Sequence, residues 1–468
     1  MSKTESASTL SLRPYAMRCL LAGLFVVFMV VAVHPPPLED GYIYARYIAN
    51  HLHGLGLVFN VGEHINALTS PLYSYVLLAF SWIMSGHIIL AEYVLFTVFL
   101  IATCCLAESF FAWSGVLIAS MTCFYSVIGM ETTMFLFFIL LNIWIIRTER
   151  YFWLPLCLVL LALTRMEGAA LVPVAAWICY RNARWPSWKA YVLPLMVTVA
   201  YLGLNHHLYG SILPASSTAK VGQGKSGFWG KWPRAFLYGY RLGPDGRPAF
   251  WALLPMLAVL PFAWKRLRGT AWQRAVAPFF LILTSFYVLL NIPNYNWYYV
   301  PLTMLVVLYA VAGFESFRWG PAVVILLAVL QGADAYRLQH ARAVEATRAT
   351  PYSVAAQWLN AHTAPDATVE SLEIGEFGWL LHRYLYDSLG LTLPKNADHI
   401  AHRDFGSWLE EDKPDYVLYH TTRPFPFERV IVADPNYVPV TDDALGIVIY
   451  KRTRDFGKRG IPLQADER

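Results

Sequence analysis

Two adjacent carboxylates, Glu39 and Asp40, sit in the run PPPLEDGYIYARY, directly after an apolar stretch. An ionised carboxylate at a membrane edge is costly unless it is solvated or used. One use is helix capping: Asp is a favoured N-cap, and a helix can begin at Gly41. The chemical use is general-base catalysis on a hydroxyl beside a water-accessible cavity. Successive residues of a helical stretch point about 100° apart, so only one of the pair can face the reacting atoms. We favour Asp40.

Other polar residues interrupt apolar sequence. Arg46, six positions after Asp40, either snorkels to lipid headgroups or offers its fork of donors to an anionic phosphate. Arg165 and Glu167 in TRMEG form an internal ion pair or bring a guanidinium to a phosphate. Glu131 in GMETT is a carboxylate at a helix N-terminus or a second acid in a cavity. LNHHLYGSILPASSTAK carries His206, His207, Tyr209 and Lys220. Two adjacent histidines do not share a helical face, which argues against a metal site. Lys220 with His206 or His207 suits a phosphate or sugar. NYNWYYVP places Asn294, Tyr295 and Tyr298 around a Trp; such clusters arise as interfacial belts or stack on a sugar ring. Tyr42, beside the acidic pair, joins Glu131, Glu167, Asn294, Tyr295 and Tyr298 as a candidate substrate contact. No phosphate-binding glycine loop, nucleotide fingerprint or trustworthy Ser/His/Asp order is present.

The elements that must hold these residues are mostly membrane spans. Of 468 residues, 57% are hydrophobic and only 14% charged, against about a quarter charged in soluble domains. A net charge of +5 gives no case for nucleic acid. The six cysteines all lie in apolar segments at or before Cys179, which excludes a disulfide framework in the later part of the chain. Stretches of roughly 20 apolar residues give about eleven spans near 17–34, 87–106, 109–129, 132–146, 151–164, 169–180, 190–206, 248–264, 274–291, 298–315 and 319–332. The first lacks an A-x-A-like cleavage site and reads as an uncleaved span.

The short segment 71–86 decides the sidedness. If it does not cross, Lys3, Arg13 and Arg18, then Arg147 and Arg150, Arg181, Arg184 and Lys189, Lys265 to Arg274, and Arg318 all fall on the cytoplasmic side, as the positive-inside rule demands. If it crosses, they all fall outside. We therefore take 71–86 as an interfacial or re-entrant helix within a first external loop, 35–86. The same parity brings Glu39, Asp40, Glu131, Arg165, Glu167, the 207–247 loop, NIPNYNWYY and everything after about 333 to the external face. Residues 1–332 form the transmembrane domain. In 333–468, SVAAQWLNAH reads as an amphipathic helix and ATVESLEIG, PDYVLYH and LGIVIYKR as strands, giving a small external α/β domain. A polar end after Lys458 reads as disordered.

EDGYIYARYIANHLHGLGLVFNVGEHINALTSPLY resembles the first external loop of membrane glycosyltransferases with the GT-C fold, closest to the arabinofuranosyltransferases that cap mycobacterial arabinan and their bacterial relatives. GMETTMF, TRMEG, YGSILPAS with Lys220, and IGEFGWLLHRYLYDSLGLTLP follow in order, so the resemblance spans nearly the whole chain. It implies inverting transfer of a sugar, a pentofuranose by family weight, from a polyprenyl-phosphate donor. The base would be Asp40 or Glu39, with Arg46 and Arg165 near the donor phosphate. Three departures bear on sugar and acceptor: Glu-Asp where an Asp pair is usual, MEG where Pro-Asp-Gly is common, and SPLY for Asn-Pro-Leu-Trp.

The expected protein is thus an α-helical polytopic membrane enzyme of a bacterial inner membrane, N-terminus cytoplasmic. The acceptor is a glycan, a lipid-linked oligosaccharide or a pilin-type protein. No cofactor or metal ligand set is implied, and a divalent cation stays open. The rival reading is a transporter or flippase for a lipid-linked glycan, although no internal repeat is evident; a third is a non-catalytic assembly protein whose tail binds glycan or protein.

Overall fold

The computed structural model describes residues 12–212, 214–237, 249–404, 406–443 and 445–453. Lys3, part of the 207–247 loop and the polar end after Lys458 lie outside them.

Helix α1 (Leu12–Phe28) continues as a π-helical turn, Met29–Val33, and stops where His34 turns left-handed (φ 53°) before Pro35–Pro37, since proline brings no N–H to extend the ladder. Helix α2 (Gly41–Leu52) follows the acidic pair. Helix α3 (Pro71–Ile83) has a strong start: the Ser70 side chain accepts from the backbone N–H of Tyr73, and Pro71 fills the first position. At 13 residues α3 is too short to cross a bilayer upright. Next come α4 (Ile88–Glu108), α5 (Ser114–Ser120), α6 (Thr132–Arg147), α7 (Leu154–Thr164), α8 (Leu171–Arg181), α9 (Lys189–Tyr209) and α10 (Ala215–Ser226). Helices α11 (Ala249–Ala258), α12 (Leu260–Leu267), α13 (Ala271–Leu289), α14 (Asn296–Phe314) and α15 (Gly320–Ala346) complete the bundle.

Every predicted span falls on helical segments, but two are broken. Residues 109–129 split into α5 and a 3₁₀ turn, Thr122–Val127, and 248–264 into α11 and α12. Among the described residues, five helical stretches are long and apolar enough to cross a membrane: Arg13–Val33, Ile88–Glu108, Ala271–Leu289, Asn296–Phe314 and the run Gly320–His362. Helix α14 is the central pillar, enclosed almost all round, whereas α9 and α15 present Leu195, Met196, Val199, Leu326, Val329 and Leu330 outward. Apolar surface on that scale needs hydrocarbon around it, and the protein is a multi-pass membrane protein.

Polar contacts mark the two ends of the bundle. At one, Arg18 pairs with Glu108, Arg147 donates to the Ser109 carbonyl, and Glu315 accepts from Arg266 and the Ala112 N–H. At the other lie the acidic pair, Glu131, Arg165 and the tail.

The tail starts on α15, which runs through residue 333 without a break. Helix α16 (Pro351–His362) opens with a capping box between Thr350 and Ser353. A five-stranded sheet follows, from β1 (Thr368–Ser371), β2 (Tyr384–Asp387), β3 (Tyr416–His420), β4 (Tyr437–Pro439) and β5 (Ile447–Arg452). Its order is β2-β1-β3-β5-β4. Strand β1 pairs in parallel with β2 (Thr368 opposite Tyr384) and with β3; β5 runs antiparallel to β3 and β4. Helices α17 (Glu376–Leu380), α18 (Pro394–His402), α19 (Ser407–Asp412) and α20 (Arg429–Ala433) fill the connections. Strands β2 and β4 were not expected: one is four residues inside a longer motif, the other three residues ending in proline.

Candidate active site

The acidic pair is fixed by a close approach of two backbones. A Cβ on Gly41 would meet the Gly129 Cα at 3.0 Å, and Gly129 itself has φ +86°, a conformation that favours glycine. The Leu38 N–H donates to the Ile128 carbonyl at 2.7 Å. The start of α2 is thereby pressed against the GMET turn, two residues before Glu131.

From there the two carboxylates diverge. Asp40 has helical backbone angles and makes no side-chain capping bond, so the capping use weighed from sequence is not taken up. Its side chain lines a cavity. Glu39 turns to the tail, where its Oε1 accepts the Glu376 N–H at 3.0 Å. A Cβ on Gly375 would collide with Glu39, so this contact needs glycine. Burial, then Glu373 and Asp40, hold the Glu39 carboxyl well above the ordinary range. Glu373, brought in by the tail, is pushed up to about 7 by burial and by Asp40.

Arg165 follows α7 in extended conformation. Its Nη1 lies 2.8 Å from Glu131 Oε1 and its Nη2 2.6 Å from Glu167 Oε1. Glu131 also accepts from the Tyr44 hydroxyl and Glu167 from the Tyr287 hydroxyl, both at 3.0 Å. The guanidinium lies 4.9 Å from the Tyr298 ring. The internal ion pair is therefore present, and the same guanidinium reaches the cavity.

Lys220 comes from α10. Its Nζ stands 4.0 Å from the centre of the Tyr295 ring, which stacks on Trp297 at 4.7 Å. It makes no hydrogen bond or salt bridge to any described residue. Burial lowers its affinity for a proton, and Asp40 opposes that most strongly.

These side chains surround two adjoining lobes. The smaller, about 40 Å³, is lined by Asp40, Tyr44, Thr69, Arg165, Lys220 and Tyr298 among others. The larger, about 130 Å³, adds Glu131, Glu167 and Tyr287 and an apolar wall of Met166, Val221, Phe286 and Leu290. Thr69, Arg165, Lys220 and Tyr298 border both. Phe286 and Leu290 also belong to the outward apolar face of α13 with Leu281 and Leu289, so the larger lobe adjoins the lipid-facing surface.

Not every candidate converges. Arg46 is fully buried, with Nε donating to the Phe59 carbonyl at 2.8 Å, Nη1 to the Gly378 carbonyl and Nη2 to the Arg383 carbonyl at 3.1 Å. It does not snorkel and lines neither lobe: it ties the first loop to the tail. His206 and His207 are exposed at the end of α9 and line neither lobe. Their neighbour Asn205 is the buried one, donating to the Ser211 and Ile212 carbonyls and bonding Asn66. Tyr42 stacks on Trp379 of the tail, and Asn294 lines neither lobe. Thr69, Tyr44, Trp297 and Glu373 were not singled out. All four lie inside quoted motifs, but nothing local marks Glu373, in ATVESLEIG, as a partner of the acidic pair. Among the described residues, no group of three or more His, Cys, Asp or Glu is arranged to hold a metal ion.

Residues 336–458 match a family model described as a domain of unknown function (DUF8728). No curated protein is similar in sequence. Among solved structures, the chain is similar to ArnT from Cupriavidus metallidurans bound to undecaprenyl phosphate, with a TM-score of 0.57 and 12% identity over 93% of this chain and 97% of that one. For ArnT of the same organism in the apo state the TM-score is 0.54 at 13% identity, over 95% and 98%. The arabinofuranosyltransferase AftD from Mycobacteria gives 0.44 at 15% identity, over 96% of this chain and 40% of that one. The likeness to ArnT establishes the GT-C fold expected from the first-loop and tail motifs.

Proposed function

We propose that this protein is an inverting glycosyltransferase that moves a sugar from a polyprenyl-phosphate donor to an acceptor hydroxyl at the external membrane face. The observation that carries the reading is that Asp40, Arg165 and Lys220 line one cavity whose larger lobe adjoins the lipid-facing side of α13. ArnT was solved with undecaprenyl phosphate bound, and a ligand of that kind suits an apolar lobe ending in two cations. The acceptor oxygen attacks the anomeric carbon on the face opposite the phosphate. The new C–O bond forms as the bond from that carbon to the phosphate oxygen breaks, Asp40 takes the hydroxyl proton, and polyprenyl phosphate leaves. A positioned base is worth about 10²–10⁴-fold, and the leaving phosphate needs fixed positive charge. Lys220, with no hydrogen bond to any described residue, meets that need most directly; Arg165 is shared with two carboxylates.

Positive-inside parity supports a cytoplasmic N-terminus and an external tail, in a bacterial inner membrane. The sugar is a pentofuranose such as arabinofuranose, and the acceptor a glycan, a lipid-linked oligosaccharide or a pilin-type protein. The test is transfer from a polyprenyl-phosphoryl pentose in detergent by wild type, Asp40→Asn and Glu39→Gln. Asp40→Asn should fall by about 10²–10⁴-fold, with Glu39→Gln affected far less. Equal turnover by Asp40→Asn removes Asp40 as base; no transfer from any polyprenyl-phosphate sugar ends the glycosyltransferase reading.

A further inference from the structure

A larger cavity, about 650 Å³, lies in the tail between α16 and the β4–β5 region, within the size range of about 300–1,000 Å³ typical of ligand sites. We propose that this groove binds the saccharide chain of the acceptor, an inference that rests on the glycosyltransferase reading. Three features of the lining point to a sugar. Trp358 presents its indole to the groove, held by a stack on His362 at 4.8 Å and an edge contact with Tyr416. An aromatic ring whose partners already fix it offers a flat apolar surface to the C–H face of a sugar at little entropic cost. Asp442 is exposed and bonds no described residue, so both its oxygens are open to sugar hydroxyls. Thr441 accepts the Ile449 N–H at 3.0 Å through its hydroxyl oxygen, which leaves the hydroxyl hydrogen to donate. Asp443, by contrast, is occupied by the Thr421 hydroxyl and the Gly446 N–H.

The lining carries two carboxylates and no cation, which disfavours an anionic ligand. Peptide capture by strand addition is disfavoured as well: the edge strand β4 is three residues long and ends in Pro439, which has no N–H to give. The position fits an extended acceptor. Pro351 at the groove adjoins Thr350, whose hydroxyl donates to Glu376 at 2.9 Å; the Glu376 N–H in turn donates to Glu39, the neighbour of Asp40. The Pro351 end of the groove is thus two hydrogen bonds from Glu39, on the part of the tail that meets the acidic pair.

The test uses the full-length protein in detergent, with short linear arabino-, manno- and gluco-oligosaccharides as probes and the matching methyl monosaccharide glycosides as short acceptors. Binding is measured by calorimetry without donor on the Asp40→Asn background, alone and with Trp358→Ala or Asp442→Asn. One oligosaccharide should bind; Trp358→Ala should weaken it about tenfold and Asp442→Asn about threefold. In transfer assays the KM for that oligosaccharide should rise in step while the KM for the short glycoside stays put. Asp442 is exposed and unbonded, so Asp442→Asn tests the groove even where Trp358→Ala lowers folding yield. Binding of none of the three oligosaccharides, or binding indifferent to both substitutions, overturns the proposal. Transfer to the short glycoside with no groove effect fails the groove alone; oligosaccharide binding without transfer from any lipid donor leaves the groove and fails the enzyme.

Discussion

Both ends of the helical bundle bury an arginine against a glutamate, and they put the pair to different use. At the Arg18 end, Glu108 is saturated: it takes the Arg18 Nε at 2.7 Å and the backbone N–H groups of Trp113, Gly115 and Val116. Every acceptor position faces a donor, and the ion pair serves as a clasp between α1 and α4. At the Asp40 end, Arg165 is also paired, to Glu131 and Glu167, but the set around it is incomplete. Lys220 stands against aromatic faces with no hydrogen bond or salt bridge to any described residue, and Asp40 lines the cavity beside it. A carboxylate with every acceptor position filled stabilises a fold, even though the Arg18 Nη2 beside it has no partner among the described residues; chemistry needs charges whose partners have yet to arrive.

The largest expected effect tests the clasp. Glu108→Gln leaves Arg18 buried without a counter-charge, a loss of about 3–5 kcal/mol when one partner of a buried pair is removed. The melting temperature in detergent should fall markedly, while kcat per folded molecule stays at the wild-type value. A lowered kcat with an unchanged melting temperature would mean that the two ends are not divided as described.

Lys220→Met should do the reverse. Turnover should drop by about 10²-fold, equivalent to about 2.7 kcal/mol of barrier, through loss of charge at the leaving phosphate. The melting temperature should hold or rise, because a desolvated cation without a hydrogen bond is replaced by an apolar side chain of similar length. If Lys220→Met melts early and turns over normally, the lysine is structural and the comparison fails at its more reactive end.

A third substitution concerns what the sequence could and could not reveal. The helices were legible because hydropathy and charge asymmetry are local signals, and the Asp40, Arg165 and Lys220 motifs were legible because polar residues in apolar runs are conspicuous. Arg46 was equally conspicuous, but its surroundings were not legible. Its acceptors, the carbonyls of Gly378 and Arg383, lie more than 330 positions away, and no local pattern says that a guanidinium will be enclosed by a distant turn. The His206–His207 pair misled in the opposite sense: the chemistry of imidazole drew notice, yet α9 turns both rings outward and buries Asn205. Glu373 was silent because its role depends on β1 delivering it to the acidic pair. Arg46→Lys tests the enclosure. An ammonium cannot reproduce the planar fork, and buried carbonyls lose their donors, at about 1–3 kcal/mol each. Limited proteolysis should find the first loop and the tail more readily separated; unchanged protease resistance would mean that Arg46 does not join them.

The smallest effect probes the seam between loop and tail by pH. The Glu373 carboxyl binds its proton more tightly in the folded protein, at about 7 against an ordinary 4.5. A carboxyl raised in this way favours folding while it is protonated, so its contribution is present at low pH and is lost as pH rises through that interval. His420, raised by its contact with Glu428 against the opposing effect of burial, acts in the same direction: its stabilisation holds below the ordinary histidine value and fades as pH climbs past the raised one. Lys220, Asp40 and Glu39 face the same seam. The melting temperature should therefore decline by a few degrees between about pH 5 and about pH 8. Glu373→Gln, neutral throughout, should remove the Glu373 share of that slope, leaving the shares of Glu39 and His420, and leave the Glu108 clasp untouched. A slope of unchanged steepness in Glu373→Gln would assign the pH dependence elsewhere and leave the acidic seam with no role in holding the tail.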